Sequence, residues 1–225
     1  MYLLHIANKN YSSWSLRPWV LMHTLGIAFE ESLHPFTDAP NQHFDRFSPN
    51  GRVPCLVDGS QTIWDSLAIT EYLAEHHPGV WPAQATARHF ARCVVAEMHS
   101  GFMGLRSACP LQCSVRVTLK THAPQLLHDL QRLDALWCEG LNRFGGPFLA
   151  GADFSAADAF FAPVAFRVQT YQLPLSEQAM SYVHTLLALP AMTQWAQAAL
   201  QEPWRDPAHE DPIKANAHTY QDLRV

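Results

Sequence analysis

The chain has 225 residues, 48% hydrophobic and 16% charged, enough to bury one large core or two small ones and too apolar for disorder. A formal charge of −5 with scattered Lys and Arg leaves no electrostatic footprint for nucleic acid. No segment reaches the roughly 18 apolar residues of a membrane span, residues 1–6 lack the basic run and cleavage site of a secretory leader, and five cysteines, an odd number, suit reduced thiols in a cytoplasm.

Residues 2–7 read as a buried strand and 15–25 as a helix, with Pro18 in its first turn and Gly26 as its stop. Residues 29–34, 53–57 and 62–64 follow as strands, the last two joined by the hairpin signal Asp58-Gly59. A helix over 66–77 ends before Pro78-Gly79. The order is βαβ, loop, ββα. Beyond Pro82 the period is 3.6 only: helices are predicted at 86–107, 118–141, 155–171, 177–188 and 191–200, with no strand of any strength and an irregular tail carrying Pro203, Pro207 and Pro212. The expectation is an α/β domain over 1–79 and an all-α domain over 83–225, joined at Gly79-Val80-Trp81-Pro82.

Three stretches carry chemistry. Ser12, in Tyr11-Ser12-Ser13-Trp14-Ser15-Leu16-Arg17, lies where the first strand turns into the first helix. A helix start offers unpaired N–H groups and a positive dipole end, which favour an anion, and a hydroxyl adds one further donor. Lowering a bound thiol by two pKa units needs about 2.7 kcal/mol of preferential thiolate stabilisation, within reach of these two effects. Read locally, the same serines are good helix caps. In Arg52-Val53-Pro54-Cys55 the proline opens a strand, which signals an edge, a loop transition or a cis bond that turns the Val53 N–H and C=O toward a peptide-like ligand. In Trp64-Asp65-Ser66-Leu67-Ala68-Ile69 a strand becomes a helix through two capping residues, and the pair Asp65 and Ser66 also suits the ammonium and carboxylate of a zwitterion.

This arrangement, a βαβ-ββα unit with Ser-Ser-x-Ser-x-Arg, Val-Pro and Asp-Ser-x-Ala-Ile followed by a helical half, resembles the cytosolic glutathione transferase superfamily over the whole chain. Within it the Ser12–Arg17 stretch is most similar to the zeta, maleylacetoacetate isomerase-like class and its bacterial relatives. The resemblance implies a thioredoxin-like first domain and glutathione as co-substrate, with Ser12 stabilising its thiolate and Ser13 as neighbour or substitute. Trp14, Arg17, Val53 and Pro54 join the glutathione site, with Val53 pairing the cysteinyl backbone, and Asp65 and Ser66 hold the γ-glutamyl end. It further implies a homodimer, and either conjugation to a small electrophile, cis-trans isomerisation, or a non-catalytic binding role on the same fold. The zeta class has cysteine where this chain has Trp14, and its glycyl-binding glutamine falls by counting near Ala39, with Asn41 or Gln42 as substitutes only if the loop shifts, so the glycyl contact is unassigned.

The second-substrate wall is expected on the helix over 86–107, where His99, Phe102, Met103 and Arg106 share a face, with Arg167 and Tyr171 as weaker candidates. Arg106 would favour an acidic electrophile. Asp158, in Asp153-Phe154-Ser155-Ala156-Ala157-Asp158, reads as a structural capping-box residue. No metal is expected: His76-His77 and His209-Glu210-Asp211 lack closed-site spacing, and Cys109 and Cys113 are not a Cys-x-x-Cys pair.

Overall fold

The computed structural model describes residues 1–36 and 43–224. The candidate glycyl contacts Ala39, Asn41 and Gln42 lie outside them. β1 (Tyr2–Ile6) leads into α1 (Ser13–Thr24) and then β2 (Phe29–Leu33). β3 (Cys55–Asp58) and β4 (Gln61–Trp64) form the hairpin, and α2 (Ser66–His76) closes the unit. The sheet order is β2-β1-β3-β4, with β1 and β2 parallel and the other pairs antiparallel. This is a thioredoxin-like mixed sheet. β1 buries Leu4 and Ile6, and Leu56 of β3, paired with Leu4, joins them in one core with Leu16, Trp19 and Val20 of α1, while Cys55 is buried on the opposite face of the sheet. The hairpin turn uses Gly59 at φ +56°, where a Cβ would be strained.

The second half is helical: α3 (Ala85–Ser100), α4 (Met103–Ala108), α5 (Pro124–Phe144), α6 (Ala156–Tyr171), α7 (Glu177–Leu187), α8 (Pro190–Gln201) and α9 (Pro207–Asn216). Its centre is α6, where every residue except Gln169 is buried. That explains an apolar run without a one-sided stripe. α1 packs against α6, and the Ala156 N–H donates to the Val80 carbonyl at 2.8 Å, so linker and central helix are fastened together.

Four local expectations are corrected. The helix over 86–107 breaks at Gly101-Phe102, where Phe102 takes a left-handed φ of +58° and buries its ring, so His99 and Arg106 sit on separate helices. The helix over 118–141 starts at Pro124, and β5 (Val115–Leu119) precedes it, its Val115, Val117 and Leu119 buried on one face. Its antiparallel partner is β6 (Ala217–Asp222), so the helical half also holds a two-stranded ribbon. The tail is ordered rather than irregular: Pro207 opens α9, where its missing N–H costs little, behind the Asp206 cap. Pro18 lies well inside α1, because the helix begins at Ser13 and not Ser15.

Candidate active site

Ser12 is the N-cap of α1, its Oγ accepting from the Ser15 N–H at 3.4 Å, so the capping role is real. Its hydroxyl also lies 2.7 Å from Ser15 Oγ, which in turn accepts from the Ala7 N–H at 3.2 Å. Ser15 can therefore either accept the Ser12 proton or donate its own to Ser12 Oγ. The second arrangement frees the Ser12 O–H for a ligand at no loss of hydrogen bonds. Both Ser12 and Ser13 are buried, at the start of a helix whose first-turn N–H groups carry positive charge.

The loop before Ser12 is anchored by residues remote in sequence. The Glu202 carboxylate accepts from the Lys9 N–H at 2.6 Å and the Asn10 N–H at 3.1 Å. Trp195 Nε1 donates to the Lys9 carbonyl at 2.8 Å, and Asn10 Oδ1 accepts from the Ser114 N–H at 3.0 Å. The Tyr11 hydroxyl donates to Glu210 Oε1 at 2.6 Å and accepts from Arg224 Nη1 at 3.0 Å. Tyr11 is thus committed to a buried network, and burial followed by the Glu210 contact pushes its phenol up. None of these anchors carries a local sequence signal.

Two adjoining cavities open beside Ser12. The larger, about 470 Å³, is lined by Tyr11, Ser12, Ser13, Phe36, Met103 and Arg167, among others. The smaller, about 280 Å³, is lined by Asn50, Pro54, Asp65 and Ser66. Trp14, Arg52, Val53 and His99 line both. The Val53–Pro54 bond is cis. Asp65, at φ +76°, caps α2 through Oδ1, which accepts from the Leu67 N–H at 2.7 Å, while Oδ2 faces His99 Nε2 at 3.5 Å. His99 is held below the usual imidazole range, first by burial and then by Arg17 and Arg106, against the opposing pull of Asp65. A neutral His99 leaves the Asp65 charge available to a ligand ammonium.

Arg17 lines neither cavity. It is fully buried beneath Trp14 and Ser66, its Nη1 donating to Ser66 Oγ at 3.4 Å, and burial drives its guanidinium well below the ordinary arginine range. Trp14 explains how that cation is tolerated: its indole centre lies 4.0 Å from the Arg17 guanidinium carbon, and 4.8 Å from that of Arg106. Arg106 donates to the carbonyls of Gly101 and Met98. Arg167, lowered to about 10 chiefly by burial, donates from Nε to the Cys109 carbonyl at 2.8 Å. Arg52, Arg106 and Arg167 line the larger cavity, and among the described residues no carboxylate does.

The structure therefore brings Ser12, Ser13, Trp14, Val53, Pro54, Asp65, Ser66, His99, Met103 and Arg106 to one pair of cavities. Phe102 is turned into the core, and Tyr171 is buried with its hydroxyl on the Pro110 carbonyl at 2.8 Å. His209, stacked on Tyr11 and Phe36, lines the larger cavity. The sequence reading weighed it only as a metal ligand. Among the described residues no group of three or more His, Cys, Asp or Glu is arranged to hold a metal ion, and no helix is long and apolar enough to cross a membrane.

Residues 11–76 match the family model described as glutathione S-transferase, N-terminal domain. A solved glutathione transferase homolog from Burkholderia GL BGR1, with bound glutathione, superposes with a TM-score of 0.65 at 23% identity, over 88% of this chain and 97% of that one. The fold is that of the glutathione S-transferases. Among curated proteins, the glutathione S-transferase-like protein OpS6 of Beauveria bassiana is 24% identical over 85% of this chain and 89% of its own. The Probable maleylacetoacetate isomerase of Caenorhabditis elegans is 26% identical over 75% of this chain and 79% of its own. The matched transferase segment contains Ser12, Val53 and Asp65, and so spans both cavities.

Proposed function

We propose that this protein is a glutathione transferase that activates the thiol of glutathione for attack on a small electrophile. The observation that carries the reading is Ser12: a buried hydroxyl at the start of α1, open to a cavity whose smaller neighbour presents Val53, Asp65 and Ser66. The residues fit a γ-glutamyl peptide. Asp65 Oδ2 suits the ammonium, the buried Ser66 hydroxyl backed by Arg17 suits the carboxylate, and the Val53 backbone suits the cysteinyl amide. That placement sets the sulfur at Ser12 and Ser13, where a hydroxyl, first-turn N–H groups and the helix dipole all favour the thiolate. Arg17 takes part through Ser66 rather than by touching the ligand.

The larger cavity takes the electrophile, with Trp14, His99, Met103 and Arg106 as its wall and Arg167 behind. Three arginines on its lining favour acidic electrophiles. The zeta-like Ser12–Arg17 stretch and the similarity to a maleylacetoacetate isomerase make cis-trans isomerisation the activity to assay beside conjugation. In this reading residues 1–79 form the glutathione domain and 83–225 supply the second-substrate wall. A homodimer is part of it, supported by the exposed Trp64 beside Ile63 and Leu67 on the β4–α2 face. So is a cytoplasmic location, which five free cysteines suit.

The test is the ultraviolet thiolate absorbance of bound glutathione at neutral pH, together with turnover of chlorodinitrobenzene and of maleylacetone. The wild type shows the band and turns over at least one substrate; Ser12→Ala loses the band and about 10²-fold in turnover, the typical cost of one donor aimed at developing charge. Bound glutathione with no thiolate band and no turnover overturns the proposal.

A further inference from the structure

The electrophile cavity contains a second functional pair beside the serine. Asp206 caps α9 through Oδ1, which accepts from the Ala208 N–H at 3.0 Å, and its Oδ2 lies 2.7 Å from His209 Nδ1. A carboxylate can only accept, so Nδ1 carries the hydrogen and Nε2 is the ring atom left for a ligand. The imidazole stacks on both Tyr11 and Phe36, with each ring centroid 5.2 Å away and interplanar angles of 26° and 24°. Tyr11, Phe36 and His209 all line the cavity that Ser12 lines, and the His209 side chain is 35% exposed.

The other titratable lining groups are less suited to exchanging a proton near neutrality. The Tyr11 hydroxyl is bonded to Glu210 and Arg224. His99 faces Asp65 with Nε2 and buries Nδ1. The lining arginines stay charged. A carboxylate that fixes the tautomer of a ring stacked on two aromatic neighbours is the arrangement by which an imidazole is kept ready for general acid–base work.

We propose that His209, oriented by Asp206, is a catalytic acid for the second substrate, and that the electrophiles it serves are α,β-unsaturated carbonyl compounds. The inference rests on the glutathione transferase reading. Glutathione loses its thiol proton to solvent on forming the thiolate at Ser12. The thiolate forms a carbon–sulfur bond at the β-carbon, the C=C π pair shifts, and an enolate results. His209 acts as the imidazolium, with a solvent-derived proton on Nε2: that Nε2–H bond breaks, its proton goes to the enolate α-carbon, the ring is left neutral with Nδ1–H still held by Asp206, and a proton from solvent restores the imidazolium. Substitution at an aryl chloride expels chloride and needs no such proton, so His209 discriminates between the two chemistries.

The experiment compares glutathione conjugation of benzylideneacetone, an enone, with that of chlorodinitrobenzene in wild type, His209→Gln, His209→Ala and Asp206→Asn. The ratio of the two rates cancels any loss of folded protein. The enone-to-aryl-chloride ratio falls about 10²-fold in both His209 variants, the usual scale of general acid catalysis. Added imidazole restores it in His209→Ala, whose vacated slot lies against two aromatic rings. Asp206→Asn keeps the helix cap but weakens the orientation, and lowers the ratio by a smaller factor. A ratio unchanged in the His209 variants overturns the proposal, as does a wild type that conjugates the aryl chloride and not the enone, which leaves the transferase reading standing. A wild type that binds glutathione but turns over neither substrate overturns both.

Discussion

Removing the Asp158 carboxylate is a sharp test of how the helical half is held. Asp158 is fully buried near the start of α6. Its Oδ1 accepts from the Leu149 N–H at 3.0 Å and the Tyr182 hydroxyl at 2.9 Å, and its Oδ2 from the Ser155 N–H at 2.9 Å. Asp158→Ala leaves these three donors without their partner in a dry interior, at about 1–3 kcal/mol each, so the expected loss is about 3–9 kcal/mol. With a urea slope of about 2–3 kcal/mol per molar, the unfolding midpoint drops by at least roughly 1 M. The pH dependence is a second handle. Burial pushes this carboxyl up to about 6, against about 4 in an unfolded chain. The folded state therefore binds the proton more tightly, and the stability this contributes is complete below pH ~4 and lost as pH rises through about 6. Two pH units correspond to about 3 kcal/mol. Asp158→Asn has no such proton, so its deficit against wild type is largest near pH ~4 and shrinks by about 3 kcal/mol toward pH ~7. Urea unfolding followed by tryptophan fluorescence at several pH values measures both effects. A loss below ~1 kcal/mol in the alanine variant, or a pH-independent gap for Asp158→Asn, would refute the reasoning.

Trp14→Ala removes the indole that Arg17 and Arg106 both approach and should cost about 2.5–3 kcal/mol in urea unfolding, the sum of one buried and one partly exposed cation–π contact. In a double-mutant cycle with Arg106→Ala the coupling should be about 1 kcal/mol, and additive losses would remove the Arg106 contact from the account. His99 charges only below pH 6.5, because burial lowers it; once charged it pairs with Asp65 and competes with the ligand ammonium. Glutathione affinity measured by calorimetry should therefore weaken on acidification below that value in wild type and stay flat there in His99→Gln, and equal profiles would refute the competition.

The first half was legible because its signals are local. Alternation and Asp58-Gly59 specify the hairpin, and Ser12, Val53-Pro54 and Asp65-Ser66 each sit at a junction between elements, where a sheet of this topology presents them to one side. The second half was legible as helix and illegible in its interruptions. Val115-Arg116-Val117-Thr118-Leu119 is a good strand, but its partner is the polar Ala217–Asp222, which carries no hydrophobic alternation to announce a pair. The proline-rich tail read as irregular although Asp206-Pro207 is a sound helix start. Phe102 breaks the helix after Gly101 for the burial of its own ring, a tertiary reward that no window of sequence displays. His209 enters the site only because that tail folds back over Tyr11, and the reason for Trp14 lies in two arginines remote from each other in sequence, Arg17 and Arg106, that both approach its ring.

The anchoring of Lys9, Asn10 and Tyr11 by Trp195, Glu202, Glu210 and Arg224 has a consequence for how the site comes into being. On a ribosome, residues 1–79 emerge able to pair their strands, yet the turn that presents Ser12 gains its tie to Ser114 only with the helical half and its ties to Trp195, Glu202, Glu210 and Arg224 only when residues 195–224 have followed. The thiol-activating corner is then among the last parts to mature, and a product terminated before Trp195 carries the serine without the surroundings that aim it.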